Sequence, residues 1–273
     1  MSDLVFDEIG YWSEIKLEII EKYGAAYTSI LQKQKLKKYY IDAFCGPGVH
    51  VSKESGEPVA GSPARALNVS PPFDGYFFID LQRAKTAHLQ GLCGDRADVH
   101  IYTADATTCL MNDVLPGIKY EKYTRALCLL DPYGLHLDWR VIETAGKSRA
   151  IDMFLNFPVM DMNRNVFWRD PDRVAQDDLD RMTGFWGDET WKQAAYAASP
   201  QTDLFSAPEI VKQANDAIVA AFRERLRQVA GFQSVADPLP MRNSNNAVVY
   251  YLFFASQKSV AEKIITAIFA KYR

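Results

Sequence analysis

The chain has 273 residues, of which 48% are hydrophobic, 24% charged and 12% aromatic, a composition that excludes disorder and low complexity and predicts a large globular fold. Folding at this length buries about 70 to 75% of the unfolded surface, so the core needs no covalent staple. Net charge is −3, from 31 basic and 34 acidic side chains, which is not the footprint of a general nucleic-acid binder.

The four cysteines, Cys45, Cys93, Cys109 and Cys128, form no Cys-x-x-Cys pair and have only four histidines to join them, so no metal site is expected. Met1 to Gly10 is acidic and lacks the basic and apolar regions of a signal peptide, and no apolar run approaches eighteen residues. The expectation is a cytoplasmic protein with no membrane partner. Charge is uneven: residues 157–206 carry 5 Lys/Arg against 9 Asp/Glu, whereas residues 207–273 carry 9 against 5. Lys33, Lys35, Lys37 and Lys38 read as the solvated C-terminal turn of a helix.

In chain order, Ser13 is placed to cap a first helix whose apolar positions Ile15, Leu17, Ile19, Ile20, Tyr23 and Ile30 run to about residue 35. Tyr39 to Phe44 reads as the first core strand, followed by a tight turn at Cys45-Gly46-Pro47-Gly48 and a polar loop ending at Gly61. Ser62-Pro63 restarts a helix, with serine as cap and proline in the first helical position. Gly75 to Asp80, Asp98 to Thr103, Arg125 to Asp131 and Ala150 to Phe157 read as four further strands, with helices centred near residues 87, 112 and 142. This alternation predicts an α/β fold with a parallel sheet wrapped by helices.

Residues 159 to about 230 break the alternation with helical pieces, the longest from Pro208 to Ala230 with Gly231 as its cap. They hold three of the five tryptophans, Trp168, Trp186 and Trp191, either as a stacking platform or as a seam with the sheet. Phe232 to Met241 and Ala247 to Ala255 read as an antiparallel hairpin turning at Asn243 to Asn246, followed by an amphipathic closing helix. Pro238 and Pro240 put the first of these strands at an edge.

Asp80, Asp105 and Asp131 follow one another at intervals of 25 and 26 residues, about one strand-helix unit. They should therefore share the carboxyl edge of the sheet, where ligands of open parallel sheets sit. Asp42 precedes a turn with two glycines, which lets a ligand approach the backbone while the carboxylate holds an amino group. Position 51, where a dinucleotide fingerprint needs its third glycine, is Val51, which argues against a nicotinamide or flavin enzyme.

This ordered set resembles the class I methyltransferases that use S-adenosylmethionine. The resemblance implies a Rossmann-like sheet of seven strands with a terminal antiparallel hairpin, and here a helical insertion after the fifth strand. It divides the chain into a helix and cofactor-binding half (1–158), an insertion or cap (159–231), and a hairpin and closing helix completing the same domain (232–273). It further implies a cofactor site of Asp42, Phe44, Cys45, Gly46, Pro47, Gly48, Asp80, Leu81, Asp105 and Ala106, with Asp80 on the ribose hydroxyls and Asp105 near the adenine amine. Phe44-Cys45-Gly46-Pro47-Gly48, Gly61-Ser62-Pro63, Asp131-Pro132-Tyr133-Gly134 and Asn156-Phe157-Pro158 together look like the bacterial three-Cys-motif partner proteins (TcmP). In that family the three cysteines belong to a separate partner protein.

Asp131-Pro132-Tyr133-Gly134 is similar to the Asp-Pro-Pro-Tyr loop of amino-methyltransferases, and closer to the shorter Asp-Pro-aromatic-Gly form of tRNA guanine-N2 methyltransferases. The similarity implies that Asp131 and the Pro132 carbonyl accept the hydrogens of a substrate amine while Tyr133 stacks on its base, with Asn156, Phe157, Pro158 and Trp168 also at the substrate. Burial of Asp131 without a donor partner would raise its pKa. The acceptor implied is an exocyclic amine of RNA or DNA, and the alternative is a non-catalytic subunit that keeps the cofactor pocket and docks a three-Cys-motif protein. A cytosine-C5 enzyme would need a nucleophilic cysteine after the fourth strand, and Cys45 and Cys128 read instead as packing residues. His136 reads as structural.

Overall fold

The computed structural model describes residues 6–198 and 210–273. Five parallel strands, β1 (Lys37–Asp42), β2 (Gly75–Asp80), β3 (Val99–Thr103), β4 (Thr124–Leu130) and β5 (Ile151–Phe157), alternate with helices. Two later strands complete the sheet: β6 (Leu239–Arg242), led by the short segment Ser234–Val235, and β7 (Val248–Ser256). The order across the sheet is β3-β2-β1-β4-β5-β7-β6, with β7 antiparallel both to β5 and to the two edge segments. Eight strands thus fill seven positions, in a Rossmann-like α/β sheet ending in an antiparallel hairpin. Pro240 sits on the outer strand opposite Tyr251, where its missing amide hydrogen costs no ladder bond.

Both faces of the sheet are covered, which is why its strands read as nearly continuous apolar runs. On one side α1 (Tyr11–Lys33), α2 (Ser62–Leu67), α3 (Arg83–Cys93) and α10 (Ser259–Phe269) pack on Tyr40, Phe78, Leu127, Leu129, Phe154 and Phe254. On the other, α4 (Ala106–Cys109), α5 (Trp139–Ser148), α6 (Val159–Asn165), α7 (Gln176–Trp186), α8 (Trp191–Ala195) and α9 (Asn215–Gln228) pack on Ile41, Ile79, Cys128, Leu130, Leu155 and Phe253. The last four helices lie between β5 and the hairpin, with a two-stranded ribbon pairing Tyr196–Ala198 with Ile210–Lys212. No helix among the described residues is long and apolar enough to cross a membrane.

The aromatic cluster of the insertion is the seam. Phe222 lies 4.6 Å from Phe157, 5.8 Å from Phe185 and 5.4 Å from Phe253 between ring centroids. Trp186 and Trp191 are buried with them, and only Trp168, at 41%, is exposed. Each such aromatic pair adds about 0.5 to 1.5 kcal/mol beyond its buried area.

Several local expectations are corrected. Helix α1 is capped by Gly10, and Ser13 lies in its first turn, its amide bonding the Gly10 carbonyl. Gly61 caps α2, leaving Ser62 and Pro63 as its first two residues. The polar stretch before Gly61 holds two short strands, Val49–Ser52 and Pro58–Ala60, which join Glu8–Ile9 in a small separate sheet. The first strand is Lys37–Asp42, so Phe44 lies beyond it. Of the lysine run, only Lys33 belongs to the helix end, while Lys38 is buried in β1 and pairs with Asp74. Pro208, where the last helix of the insertion is expected to start, lies outside the described residues, but Ile210–Lys212 is a strand and the helix runs only from Asn215 to Gln228, with Gly231 in the following turn at φ +84.

Candidate active site

Strands β1 to β5 are parallel, so their carboxyl ends share one edge, with Asp42 in register with Phe78, Asp80 with Thr103, and Leu130 with Leu155. Strand order reverses at β1, which lies between β2 and β4, and this switch point is where open α/β sheets leave a ligand crevice. The turn after β1, Asp80 and Asp131 surround it.

Gly46 and Gly48 hold φ +63 and +85, and a Cβ on Gly48 would lie 2.9 Å from Leu89 Cδ1, so the turn needs glycine both for its dihedrals and for space. The Gly46 amide donates to Asp80 Oδ2 at 3.0 Å and the Gln82 amide to Asp80 Oδ1 at 2.8 Å. A carboxylate offers about four lone-pair sites, so two remain. The turn is held from the side by a His88 Nδ1 bond to the Pro47 carbonyl, 2.8 Å, and below by the Gly61 amide on the Gly48 carbonyl, 2.8 Å. Leu81, next to Asp80, is 72% exposed and presents an unpaired apolar face.

Other expected cofactor residues serve the frame. The Cys45 side chain is buried in the core, where burial raises its thiol pKa, and its amide bonds the Ile79 carbonyl at 2.9 Å. Phe44 is half-buried against the other core face. Asp105 caps α4, its Oδ1 accepting the Thr108 amide and hydroxyl, both at 2.9 Å, and Ala106 is buried beneath it.

At the end of β4, Asp131 is bound on both oxygens. The Lys16 ammonium, from α1, pairs with Oδ2, and Asn156 Nδ2, from the end of β5, donates to Oδ1 at 2.7 Å. This corrects the expectation of an acid without donors. Lys16 is itself buried; burial acts to lower its pKa, but Asp131, Tyr250 and Asp42 outweigh it and hold the ammonium protonated well above its ordinary range. Tyr250 faces Lys16 with its ring centroid 5.5 Å from Nζ, and its hydroxyl pKa is pushed up by burial to about 12. The Asn156 Oδ1 atom is buried without a partner.

The loop itself is uneven. Pro132 is buried, Gly134 turns at φ +61 with Asp161 Oδ2 3.0 Å from its Cβ direction, and Tyr133 is 89% exposed. Phe157 and Pro158 do not face the crevice: Phe157 lies in the aromatic seam, and the buried Pro158 caps α6 with its carbonyl on the Met162 amide. Trp168 donates its indole N–H to the Arg164 carbonyl at 2.8 Å. His136 is exposed on the same loop.

Asp42 is fully buried at the base of the turn. Burial raises its carboxyl pKa to about 7 against the nearby Ser62 hydroxyl and the Phe44 amide, and its Oδ2 has no partner. In the unfolded chain the same group titrates near 3.8. Between the two values the unfolded state is the more deprotonated, so native stability falls as pH rises through that window, by up to about 4 kcal/mol. Asp42→Asn is expected to abolish this fall, leaving the variant more stable than wild type at pH 8 and closest to it near pH 4. Urea unfolding across pH 4 to 8 reads the difference, and parallel curves would refute it.

Sequence reasoning missed Lys16, Tyr250 and His50. Lys16 falls four residues before Ile20 and seven before Tyr23, on the buried stripe of α1, and a lysine in register with that stripe was the available signal. His50 lies under the glycine turn with Nδ1 unpartnered and its pKa lowered by burial; nothing in its loop sequence marked it.

No family model matches the chain, and no curated protein does either. Among solved structures, a Legionella pneumophila protein of family model DUF519 superposes with a TM-score of 0.54 at 12% identity, over 92% of this chain and 91% of that one. At that identity the likeness establishes the fold alone. An S-adenosylmethionine-dependent methyltransferase from Mesorhizobium loti gives a TM-score of 0.35 at 12% identity, over 81% and 90%. The DszA carbon methyltransferase gives 0.37 at 15%, over 81% and 48%.

Proposed function

We propose that the protein is an S-adenosylmethionine-dependent methyltransferase acting on an exocyclic amine of a nucleobase in RNA or DNA. The observation that carries this reading is the pairing, two residues apart on one loop at the switch point, of a fixed carboxylate at Asp131 and an almost wholly exposed ring at Tyr133. S-adenosylmethionine, when bound, supplies a methyl group on a sulfonium leaving group. Asp80 has two free lone-pair sites for ribose hydroxyls, Leu81 offers an apolar wall to adenine, Asp105 keeps Oδ2 for an adenine amine, and Asp42 holds an unbonded oxygen for an ammonium.

On the acceptor side, Lys16 and Asn156 each hold one oxygen of Asp131 and fix its orientation, so the remaining lone pairs take amine hydrogens. Tyr133 stacks on the base. Holding the nitrogen in line is worth roughly 7 to 11 kcal/mol of a bimolecular barrier. A base in a duplex has to be flipped out to reach this loop.

The motifs that resemble three-Cys-motif partner proteins favour a cytoplasmic setting beside such a protein. The second reading is a non-catalytic subunit for it, supported by the lysine already seated on Asp131. Tyr133→Ala separates the two. The ring contacts almost nothing, so stability should stay within about 0.5 kcal/mol of wild type. Labelled-methyl transfer into total RNA or DNA should fall roughly 5- to 150-fold, the loss of one base-stacking contact of about 1 to 3 kcal/mol. Unchanged transfer sinks the nucleobase reading, and no transfer by wild type favours the subunit.

A further inference from the structure

At the opposite edge of the sheet, where β4 and β5 begin, a cavity of about 330 Å³ opens between the end of α1 and the start of α10. Its apolar wall is Leu31, Leu36, Val260 and Ile264, and its rim carries Arg125, Arg149 and Lys258. Among the described residues none of these three cations has a salt bridge. Both guanidiniums are gathered on one ring: Arg125 lies 3.9 Å and Arg149 5.3 Å from the Tyr120 centroid. Arg125 is also fixed by bonds to the Thr124 carbonyl, 2.7 Å, and the Tyr120 carbonyl, 3.2 Å. Gathering three cations on one rim against a single carboxylate, Asp152, costs free energy that a bound anion would return.

Among the described residues Asp152 is the one carboxylate lining this cavity, and it is already used. Its oxygens accept the Tyr23 hydroxyl at 2.6 Å and the Ser256 hydroxyl at 2.5 Å, and burial pushes its pKa up against the opposing pull of Arg125 and Lys258. Tyr27 lines the same cavity, and its hydroxyl is buried without a partner. The cationic end continues into an adjoining cavity of about 440 Å³ that shares Tyr120, Arg149 and Lys258.

We propose that this cavity is a second ligand site, distinct from the crevice at the carboxyl edge, that takes a small organic phosphate: an apolar body against the helices and a phosphate head between Arg125, Arg149 and Lys258. The volume lies at the small end of ligand pockets, and paired guanidiniums match phosphate oxygens in bidentate fashion. Calorimetry on the full chain with n-hexyl phosphate, inorganic phosphate, 1-hexanol and hexanoate tests it. Hexyl phosphate should bind at least tenfold more tightly than each of the other three. The Arg149→Gln/Lys258→Gln double variant should weaken it at least tenfold, with the thermal midpoint of the unliganded variant within a few degrees of wild type. Hexyl phosphate binding no better than inorganic phosphate or hexanol overturns the site, as does undiminished binding by the double variant. Hexanoate binding equally well overturns the phosphate assignment. Displacement by S-adenosylhomocysteine overturns the claim of a separate site, and its failure to displace supports it whether or not the methyltransferase reading holds.

Discussion

Asp131→Ala is expected to cost about 3 kcal/mol of stability, the low end of the range for removing one partner of a buried ion pair, because Asp131 keeps 27% of its side chain exposed while Lys16 keeps 8%. The greater burden falls on the lysine. Without Asp131 its ammonium is left with the ring of Tyr250 and the buried carboxyl of Asp42, and the stranded charge must lose its proton or draw in water. Lys16→Met/Asp131→Leu should recover most of the loss, since replacing both members of a buried pair by apolar groups is often neutral. A double-mutant cycle in urea measures the coupling, and an additive cycle would show that the pair contributes nothing to the native state. An alanine variant that loses activity therefore says little about chemistry. Asp131→Asn keeps the shape and one acceptor oxygen while removing the charge; we expect labelled-methyl transfer to fall about 100-fold, within the range of losing a preorganised polar group from an active site. Transfer at the wild-type rate would leave the loop a structural feature.

The same pair marks the limit of what the chain discloses in one dimension. Acidic residues spaced by one strand-helix unit placed Asp80, Asp105 and Asp131 at a common edge, because parallel strands of similar length force that alignment, and the register bears it out. Pro238 and Pro240 disclosed the edge strand for an equally local reason. Spacing could not say what each carboxylate meets. Asp131 is 115 residues from Lys16, and that contact depends on how α1 lies across the sheet. The insertion shows the reverse. Its aromatic residues suited either a stacking platform or a seam, and only the position of α9, which sets Phe222 among Phe157, Phe185 and Phe253, decided for the seam. Phe157 and Pro158 were drawn into the expected site by adjacency to Asn156, yet side chains alternate across a strand: Asn156 reaches Asp131 while Phe157 turns into the core.

Asp80→Ala is expected to weaken binding of S-adenosylhomocysteine by roughly 100-fold or more. On the proposed reading Asp80 carries two duties that reinforce each other: its oxygens hold the Gly46 and Gln82 amides, and their remaining lone pairs would take the ribose hydroxyls. Each hydrogen bond to a charged acceptor is worth about 1.5 to 3 kcal/mol when its partner is left unpaired, so losing two ribose contacts already accounts for the loss. Releasing the Gly46 amide adds to it by loosening a turn whose φ of +63 at Gly46 and +85 at Gly48 is held only by its neighbours. Asp80→Asn separates the duties. One carboxamide oxygen can still accept the Gly46 amide, so the turn should survive and the thermal midpoint should stay near wild type, whereas the amide nitrogen cannot accept a hydroxyl hydrogen and affinity should still fall about tenfold. Calorimetry of the three proteins with S-adenosylhomocysteine reads the series directly. Equal affinities would place the cofactor away from this turn and remove the ground for methyl transfer at Asp131, and a collapse of stability in Asp80→Asn would make the carboxylate a strut of the turn.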